Sequence, residues 1–214
     1  MAGLVLMAGC TNPLNWPTPH RTGTYVVRAG DTLYSIAWHY RLDYRQVANW
    51  NGIAPPYLIY PGERLLLRKP GPALAGVFRG RNRPAPLAQH QYGGPWVWPA
   101  AGTVVGPFSG QGLNGSGITI AGRDGETVVA AHAGRVVYAG SGLPGYGRLI
   151  IVRNDPEYLS AYAFNRKVIV QEGMIVQAGQ PIARMGMRHG RALLHFEIRR
   201  DGVPINPLTL LPHP

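Results

Sequence analysis

Side chains that could bind a metal or act as a nucleophile are few in this 214-residue sequence and lie far apart. The single cysteine, Cys10, excludes a disulfide framework and a four-cysteine zinc site. His189 precedes His195 by six residues, and His132 lies in an expected turn earlier in the chain. Neither His132 nor His189 has an acidic or imidazole partner at the spacing that metal ligands show. The spacing of these residues therefore predicts no metal centre and no cofactor.

Cys10 is better interpreted as a modification site. Residues 1–10 are uncharged and mostly apolar, as at the end of a signal peptide. Their last five residues, LMAGC, resemble the lipobox of bacterial lipoproteins, which implies that Cys10 is lipidated and becomes the mature N-terminus. Thr11 follows the cysteine in place of Asp, and in the usual Gram-negative sorting pattern this implies the outer membrane. We expect 1–10 to be a signal remnant and the Pro-rich 11–22 to be a tether; the alternative is a buried cysteine.

Composition narrows the class of protein. Basic residues outnumber acidic ones by 21 to 10, a net charge of +11, which favours an anionic partner such as nucleic acid, lipid or a wall polymer. The arginines are scattered rather than gathered on one helix or tail, which argues against a nucleic-acid-binding arm. With 29 Gly and 20 Pro, the chain is typical of β-rich domains joined by a linker rather than of a helical bundle.

Residues 23–68 have the pattern of a small β-α-α-β unit. A β-branched run precedes a turn and an N-cap, and apolar residues then recur at helical spacing from Leu33 to Tyr40. The sequence YVVxxGDTLxxIA from Tyr25, followed by NxN and IxPGxxL, resembles a LysM module. This resemblance implies binding of N-acetylglucosamine-containing peptidoglycan glycan, without help from the rest of the chain. The implied glycan-binding residues are Gly30, Asp31, Thr32, Asn51, Ile53 and Tyr57.

A linker rich in Pro, Gly and Arg (69–94) separates this unit from a second region, 95–212. Short strands with Gly at the turns predict a mainly antiparallel β domain there. The motifs PxxG at 99–102, GRVVYAG at 134–140 and LHFEIR at 194–199 resemble the lysostaphin/LytM-type zinc endopeptidase domain.

The residues that would bind zinc are missing from this second region. The family's His-x-Gly-x-Asp has Gly115 and Thr119 at its ligand positions, its Tyr-x-His ends in Phe164, and its His-x-His is Leu193 to His195. A catalytic zinc needs about three protein ligands, so one surviving histidine cannot hold it. The resemblance therefore implies a degenerate, non-catalytic domain with no catalytic or metal-binding residues.

Lipobox, LysM module, linker and degenerate domain together resemble the NlpD/EnvC-type activators of cell-wall amidases. In that family the vacated groove binds a periplasmic N-acetylmuramoyl-L-alanine amidase, which then cleaves septal peptidoglycan so that daughter cells separate. This implies a lipoprotein on the periplasmic face of the outer membrane, with peptidoglycan, an amidase and the membrane as partners and no nucleic acid. The implied amidase-binding groove comprises Thr119, Tyr146, Tyr162, Phe164, Asn165, Arg184, Arg188, Arg191, Leu193 and His195.

Three other functions remain open at this point. The chain could be a structural peptidoglycan tether without a regulatory partner, an unconventional wall metalloendopeptidase, or a nucleic-acid-binding protein that uses its +11 charge. The lipobox argues against the last, because a lipid-anchored envelope protein does not meet nucleic acid.

Overall fold

The computed structural model describes residues 23–70 and 93–213. The expected signal remnant with Cys10, the expected tether and most of the expected linker lie outside the described residues. Within the described ranges, no helix is long and apolar enough to cross a membrane.

The first module is the predicted β-α-α-β unit. Strands β1 (Thr24–Val26) and β2 (Arg64–Leu66) pair antiparallel, and helices α1 (Leu33–Tyr40) and α2 (Tyr44–Trp50) lie between them in the chain. Helix α1 begins with a capping box, since the Thr32 hydroxyl accepts from the Ser35 amide at 3.0 Å while the Ser35 hydroxyl accepts from the Thr32 amide at 2.9 Å. The Asp43 side chain caps α2 by accepting a hydrogen bond from the Arg45 amide at 2.8 Å.

The second module is almost entirely β, as predicted. Its elements are β3 (Thr103–Gly106), α3 (Gly112–Gly115), β4 (Ile118–Ala121), β5 (Thr127–Val129), β6 (Gly134–Gly140), β7 (Arg148–Arg153), β8 (Tyr158–Val168), β9 (Ile175–Val176), β10 (Pro181–Arg188), β11 (Arg191–Arg200), β12 (Val203–Ile205) and a 3₁₀-helix (Pro207–Thr209). Strands β3 to β12 form one antiparallel sheet in the order β3-β4-β11-β10-β8-β7-β6-β9, with β12 beside β11 and β5 beside β10. Strand β11 additionally pairs with β8.

Alternation along β11 divides the sheet into two different faces. Leu194, Phe196 and Ile198 are fully buried in an apolar core on one face. The intervening residues, His195, Glu197 and Arg199, point to the opposite face and are also buried. This second face therefore carries buried polar groups that must find partners.

The first module packs against this second face. One apolar cluster contains Trp38 and Tyr34 of α1 together with Leu149 and Ile151 of β7. The contact is close at Gly202, which has φ 81° and where a Cβ atom would lie 2.6 Å from the backbone nitrogen of Asp43. Only glycine combines that backbone conformation with so close an approach. The two modules therefore share a core instead of being joined only by the linker.

Candidate functional site

His195 is the one position of the zinc-site motifs described above that still holds a histidine, and it lies on β11 at the second face of the sheet. Its side chain is 1% exposed. The Nδ1 atom lies 3.5 Å from Thr119 Oγ1, and Nε2 lies 3.0 Å from Glu197 Oε1. The ring of Phe164 lies 5.8 Å away between centroids. Strand pairing explains this arrangement, because β11 runs between β4 and β8 and places His195 opposite Thr119 and Ala163.

Glu197 links His195 to the rest of the buried polar group. Its Oε1 atom also accepts from the hydroxyls of Tyr146 at 2.9 Å and Ser116 at 3.2 Å, and its Oε2 accepts from Arg199 Nη2 at 2.9 Å. Burial alone would raise the pKa of Glu197, but the charge of Arg199 and the hydrogen bonds from His195 and Tyr146 hold that pKa well below its usual range. Glu197 is therefore an ionised and fully hydrogen-bonded carboxylate inside the protein.

Arg199 connects this hydrogen-bond network to the first module. Its Nη1 atom donates to the backbone oxygen of Trp38 at 2.7 Å, and its guanidinium lies 3.6 Å from the centre of the Trp38 ring. Such a stacked, desolvated cation–π contact is stabilising. Helix α1 thus covers the Arg199 end of the face that carries His195.

The donor set around His195 does not fit a zinc ion. Gly115 provides no ligand atom, and a Cβ atom there would lie 2.0 Å from Ser109 Oγ, so a longer side chain would require Ser109 to move. Phe164 and Leu193 carry no donor atoms, and the neutral Thr119 hydroxyl is a poor ligand. Across the described residues, no group of three or more His, Cys, Asp or Glu side chains could hold a metal ion. His195 instead contacts the Thr119 hydroxyl and the Glu197 carboxylate, which is itself paired with Arg199, as in a structural hydrogen-bond network.

The structure brings together part of the predicted groove. Thr119, Phe164 and Leu193 surround His195 on the same face. Arg188 stacks on Phe164, with its guanidinium carbon 4.2 Å from the ring centre. Beside this stack is a cleft of about 350 Å³, whose lining includes Phe164, Asn165, Met187 and Arg188.

Tyr162, predicted in the groove, was placed wrongly. It is fully buried in the core on the opposite face, where its hydroxyl accepts from the Ala131 amide at 2.8 Å. Simple alternation along β8 would put Tyr162 and Phe164 on one side. Phe164, however, has φ 67°, a conformation that L-residues rarely adopt, and this turns its side chain towards His195.

Other groove predictions also need correction. Tyr146 is 5% exposed and donates to Glu197, so it lies inside the network rather than on a rim. Asn165 is 5% exposed because its amide nitrogen bonds the backbone oxygens of Arg148 and Tyr162, although it still lines the cleft. Arg184 is exposed and donates to Thr127 instead of lining the cleft, and Arg191 is exposed at the start of β11.

Glu197, Arg199 and Trp38 were missed by sequence reasoning. Glu197 and Arg199 could have been found, because two opposite charges at alternate positions of an apolar strand indicate a buried ion pair. The Trp38 contact had no local signal, since it joins residues 161 positions apart.

The predicted glycan-binding residues separate into two groups. Asp31, Thr32 and Tyr57 line a cleft of about 670 Å³, together with Leu58 of the same module. Exposed Gly30 lies beside Asp31 in a neighbouring crevice.

Asn51 and Ile53 were predicted wrongly as glycan contacts. Asn51 is 3% exposed, and its side chain bonds the backbone of Leu66 in both directions, at 2.7 and 2.9 Å. Ile53 is 9% exposed and packs in the core. These residues hold the second helix against β2 and present no surface to a ligand.

Comparison with known proteins agrees with both modules. The LysM domain profile matches residues 25–68, and the profile of peptidase family M23 matches residues 114–207. The NlpD/LppB lipoprotein homologue of Pseudomonas aeruginosa is 42% identical over 235 residues, covering 91% of this chain and 79% of that protein. The chain belongs to the NlpD/LppB lipoprotein family. The resemblances to LysM and to the lysostaphin/LytM-type domain are thereby confirmed.

Two further comparisons relate this NlpD/LppB family chain to a second named relative and to a solved structure. The murein hydrolase activator NlpD of Escherichia coli is 32% identical over 256 residues, covering 88% of this chain and 68% of that protein. Among solved structures, Helicobacter pylori Csd3 matches with a TM-score of 0.50 at 28% identity, covering 56% of this chain and 34% of that one. The Csd3 match extends the likeness to an experimentally determined fold.

The packing of α1 predicts a pH dependence of stability in this family member. Burial, and secondly the charge of Arg199, lower the pKa of His39 to about 4. The unfolded chain, in which histidine titrates near pH 6.5, binds more protons than the folded protein as the pH falls from about 6.5 to 4. We therefore expect the free energy of unfolding to decrease across this window. Urea midpoints at pH 7, 6 and 5 measure it, and His39→Gln should flatten the decrease; equal slopes would contradict the assignment.

Proposed function

We propose that this protein is a non-catalytic envelope lipoprotein that binds peptidoglycan and activates a periplasmic N-acetylmuramoyl-L-alanine amidase during septal wall splitting. The naming of a relative as a murein hydrolase activator supports the regulatory role. The LysM match supports the wall-binding role. The observation that carries the proposal is the set of residues found at the positions of the family's zinc-site motifs. There, the one remaining histidine is hydrogen-bonded within a buried network, and Gly115, Phe164 and Leu193 provide no ligand or proton-transfer group.

The cleft beside His195 is proposed as the amidase-binding surface. Met187 is 54% exposed and provides apolar surface. Phe164, which is 8% exposed, lines the cleft, and Arg188 provides a cation held in place by stacking on it. Aromatic and arginine side chains around a small cleft are the usual composition of a binding hot spot. The arginine fork favours a partner segment that carries a carboxylate.

The wall-binding surface is the 670 Å³ cleft at the first module. Tyr34, Tyr57 and Leu58 provide the apolar surface against which sugar rings pack, and Thr32 adds a hydroxyl. Lipidation of Cys10 would hold the protein on the periplasmic face of the outer membrane. The naming of relatives as lipoproteins, one of them an outer membrane antigenic lipoprotein of Haemophilus influenzae, supports this anchor.

Activation is tested directly with purified components. We expect dye release from dye-labelled peptidoglycan when the protein and its cognate amidase are mixed. The protein alone should release none, with or without added zinc, because the family's proton-transfer positions hold Phe164 and Leu193. Release by the protein alone that chelation abolishes would show a metalloendopeptidase. Binding to sacculi with no effect on any amidase of the same organism would show a structural tether.

A further inference from the structure

The 670 Å³ cleft has two walls from different modules. The first module contributes the apolar residues Tyr34, Tyr57 and Leu58, and the second module contributes Val137 and two arginines. A ligand held by the LysM residues would therefore also touch the degenerate domain. This differs from the expectation that the LysM module binds glycan without help.

The two arginines of the second wall, Arg135 and Arg153, are direct neighbours. They lie opposite each other in the register of β6 and β7. Like charges at directly opposed positions destabilise a sheet. Within the described part of the chain, neither forms an ion pair: Arg135 donates to the Gly173 oxygen at 2.8 Å, and Arg153 donates to the Tyr34 hydroxyl at 3.1 Å. Each guanidinium has five N–H donors, so donors remain for a ligand.

The carboxylates that line the same cleft, Asp31 and Glu172, bond to neutral donors and form no ion pair with either arginine. Asp31 accepts from the Tyr25 hydroxyl at 2.6 Å and from the Arg28 amide at 2.8 Å. Glu172 accepts from the Ala139 amide at 3.2 Å. Among the described residues, the cleft thus joins an apolar wall to a pair of arginines that form no ion pair with a carboxylate.

We infer that the cleft binds N-acetylated glycan that carries a carboxylate, with the sugar rings on the first module and the carboxylate on Arg135 and Arg153. The inference rests on the proposed peptidoglycan binding and goes further, because it makes the second module part of the binding site. Peptidoglycan offers this chemistry from two sources. Intact strands carry carboxylates on their peptide stems, and strands stripped by an amidase carry the lactyl carboxylate left on the sugar.

The test measures affinities of the full chain for three soluble probes: a neutral N-acetylglucosamine hexamer, glycan strands with peptide stems, and strands stripped by an amidase. Arg135→Gln should weaken binding of at least one carboxylate-bearing probe about tenfold, as expected for loss of a hydrogen bond to a charged group, and leave the hexamer unchanged. The probe that responds identifies the source of the carboxylate. Arg123→Gln, which removes an exposed arginine outside the cleft, is the matched control.

A second pair of variants separates failure of this inference from failure of peptidoglycan binding. Leu58 is 63% exposed on the glycan wall, and Tyr60 is 62% exposed outside the cleft. Leu58→Ala should weaken all three probes, whereas Tyr60→Ala should weaken none. Unchanged affinities in Arg135→Gln, or an equal loss in Arg123→Gln, would overturn the inference alone. Failure of the unmodified chain to bind any probe would overturn the proposed wall binding itself.

Discussion

Replacing Met187 with alanine and Arg188 with glutamate in one variant should abolish amidase activation while the protein stays folded. Met187 is 54% exposed, and Arg188 lies on the edge of the cleft above Phe164, so neither change opens a cavity in the core. A hot-spot residue contributes at least about 2 kcal/mol to binding. Loss of one such contact corresponds to roughly thirtyfold weaker binding, and charge reversal adds repulsion of an acidic partner. Dye release at a limiting amidase concentration, below the level that saturates the unmodified protein, measures the effect.

The control for this variant keeps the same changes in charge and apolar surface at other places. Val203→Ala with Arg64→Glu alters an apolar side chain that is 62% exposed and an exposed arginine of β2, both outside the cleft. It should activate as the unmodified protein does. Full activation by the Met187 and Arg188 variant would move the amidase contact to another face, whereas loss of activation in both variants would indicate a general charge effect.

Replacing Arg199 with methionine should destabilise the protein by about 3–5 kcal/mol, because it leaves the ionised Glu197 buried without its cation. Glu197 is fully buried and Arg199 is 2% exposed. The same substitution removes the stacking on Trp38, so both modules should lose stability together. Urea denaturation, followed separately by probes in each module, measures the loss and its shared midpoint.

Glu197→Gln in the Arg199→Met background provides the decisive comparison. Removing both charges relieves the unpaired carboxylate, so the double variant should be more stable than the sum of the two single losses predicts. Additive losses would show that the pair does not couple energetically. Separate midpoints for the two modules would show that the Trp38 contact does not join them into one folding unit.

The packing of the first module against the second connects the proposed peptidoglycan-binding cleft with the proposed amidase-binding cleft. The Arg199–Glu197 link runs from Trp38 in α1 to His195, next to the proposed amidase cleft. The proposed glycan cleft lies at another part of the same contact between modules. Any ligand that binds only the docked arrangement stabilises that arrangement. We therefore expect wall binding and amidase activation to be coupled through the core that the two modules share.

Local residue patterns determined much of this protein. The β-α-α-β unit follows from the caps at Thr32 and Asp43 and from apolar residues at helical spacing, which act within a few residues. The departures from the resembled zinc-site motifs are likewise a matter of residue identity, at the ligand positions Gly115 and Thr119 and at the proton-transfer positions Phe164 and Leu193. Only the tertiary structure decided which of the predicted site residues are exposed and which are buried. Tyr162 lies in the core opposite Phe196, whereas one backbone angle at Phe164 turns that side chain to the other face. Asn51 is structural because β2 returns beside it. The contact of Trp38 with Arg199 forms only when the two modules pack. Strands β6 and β7 pair Arg135 with Arg153 inside the second module, and module packing then places this pair beside the glycan wall.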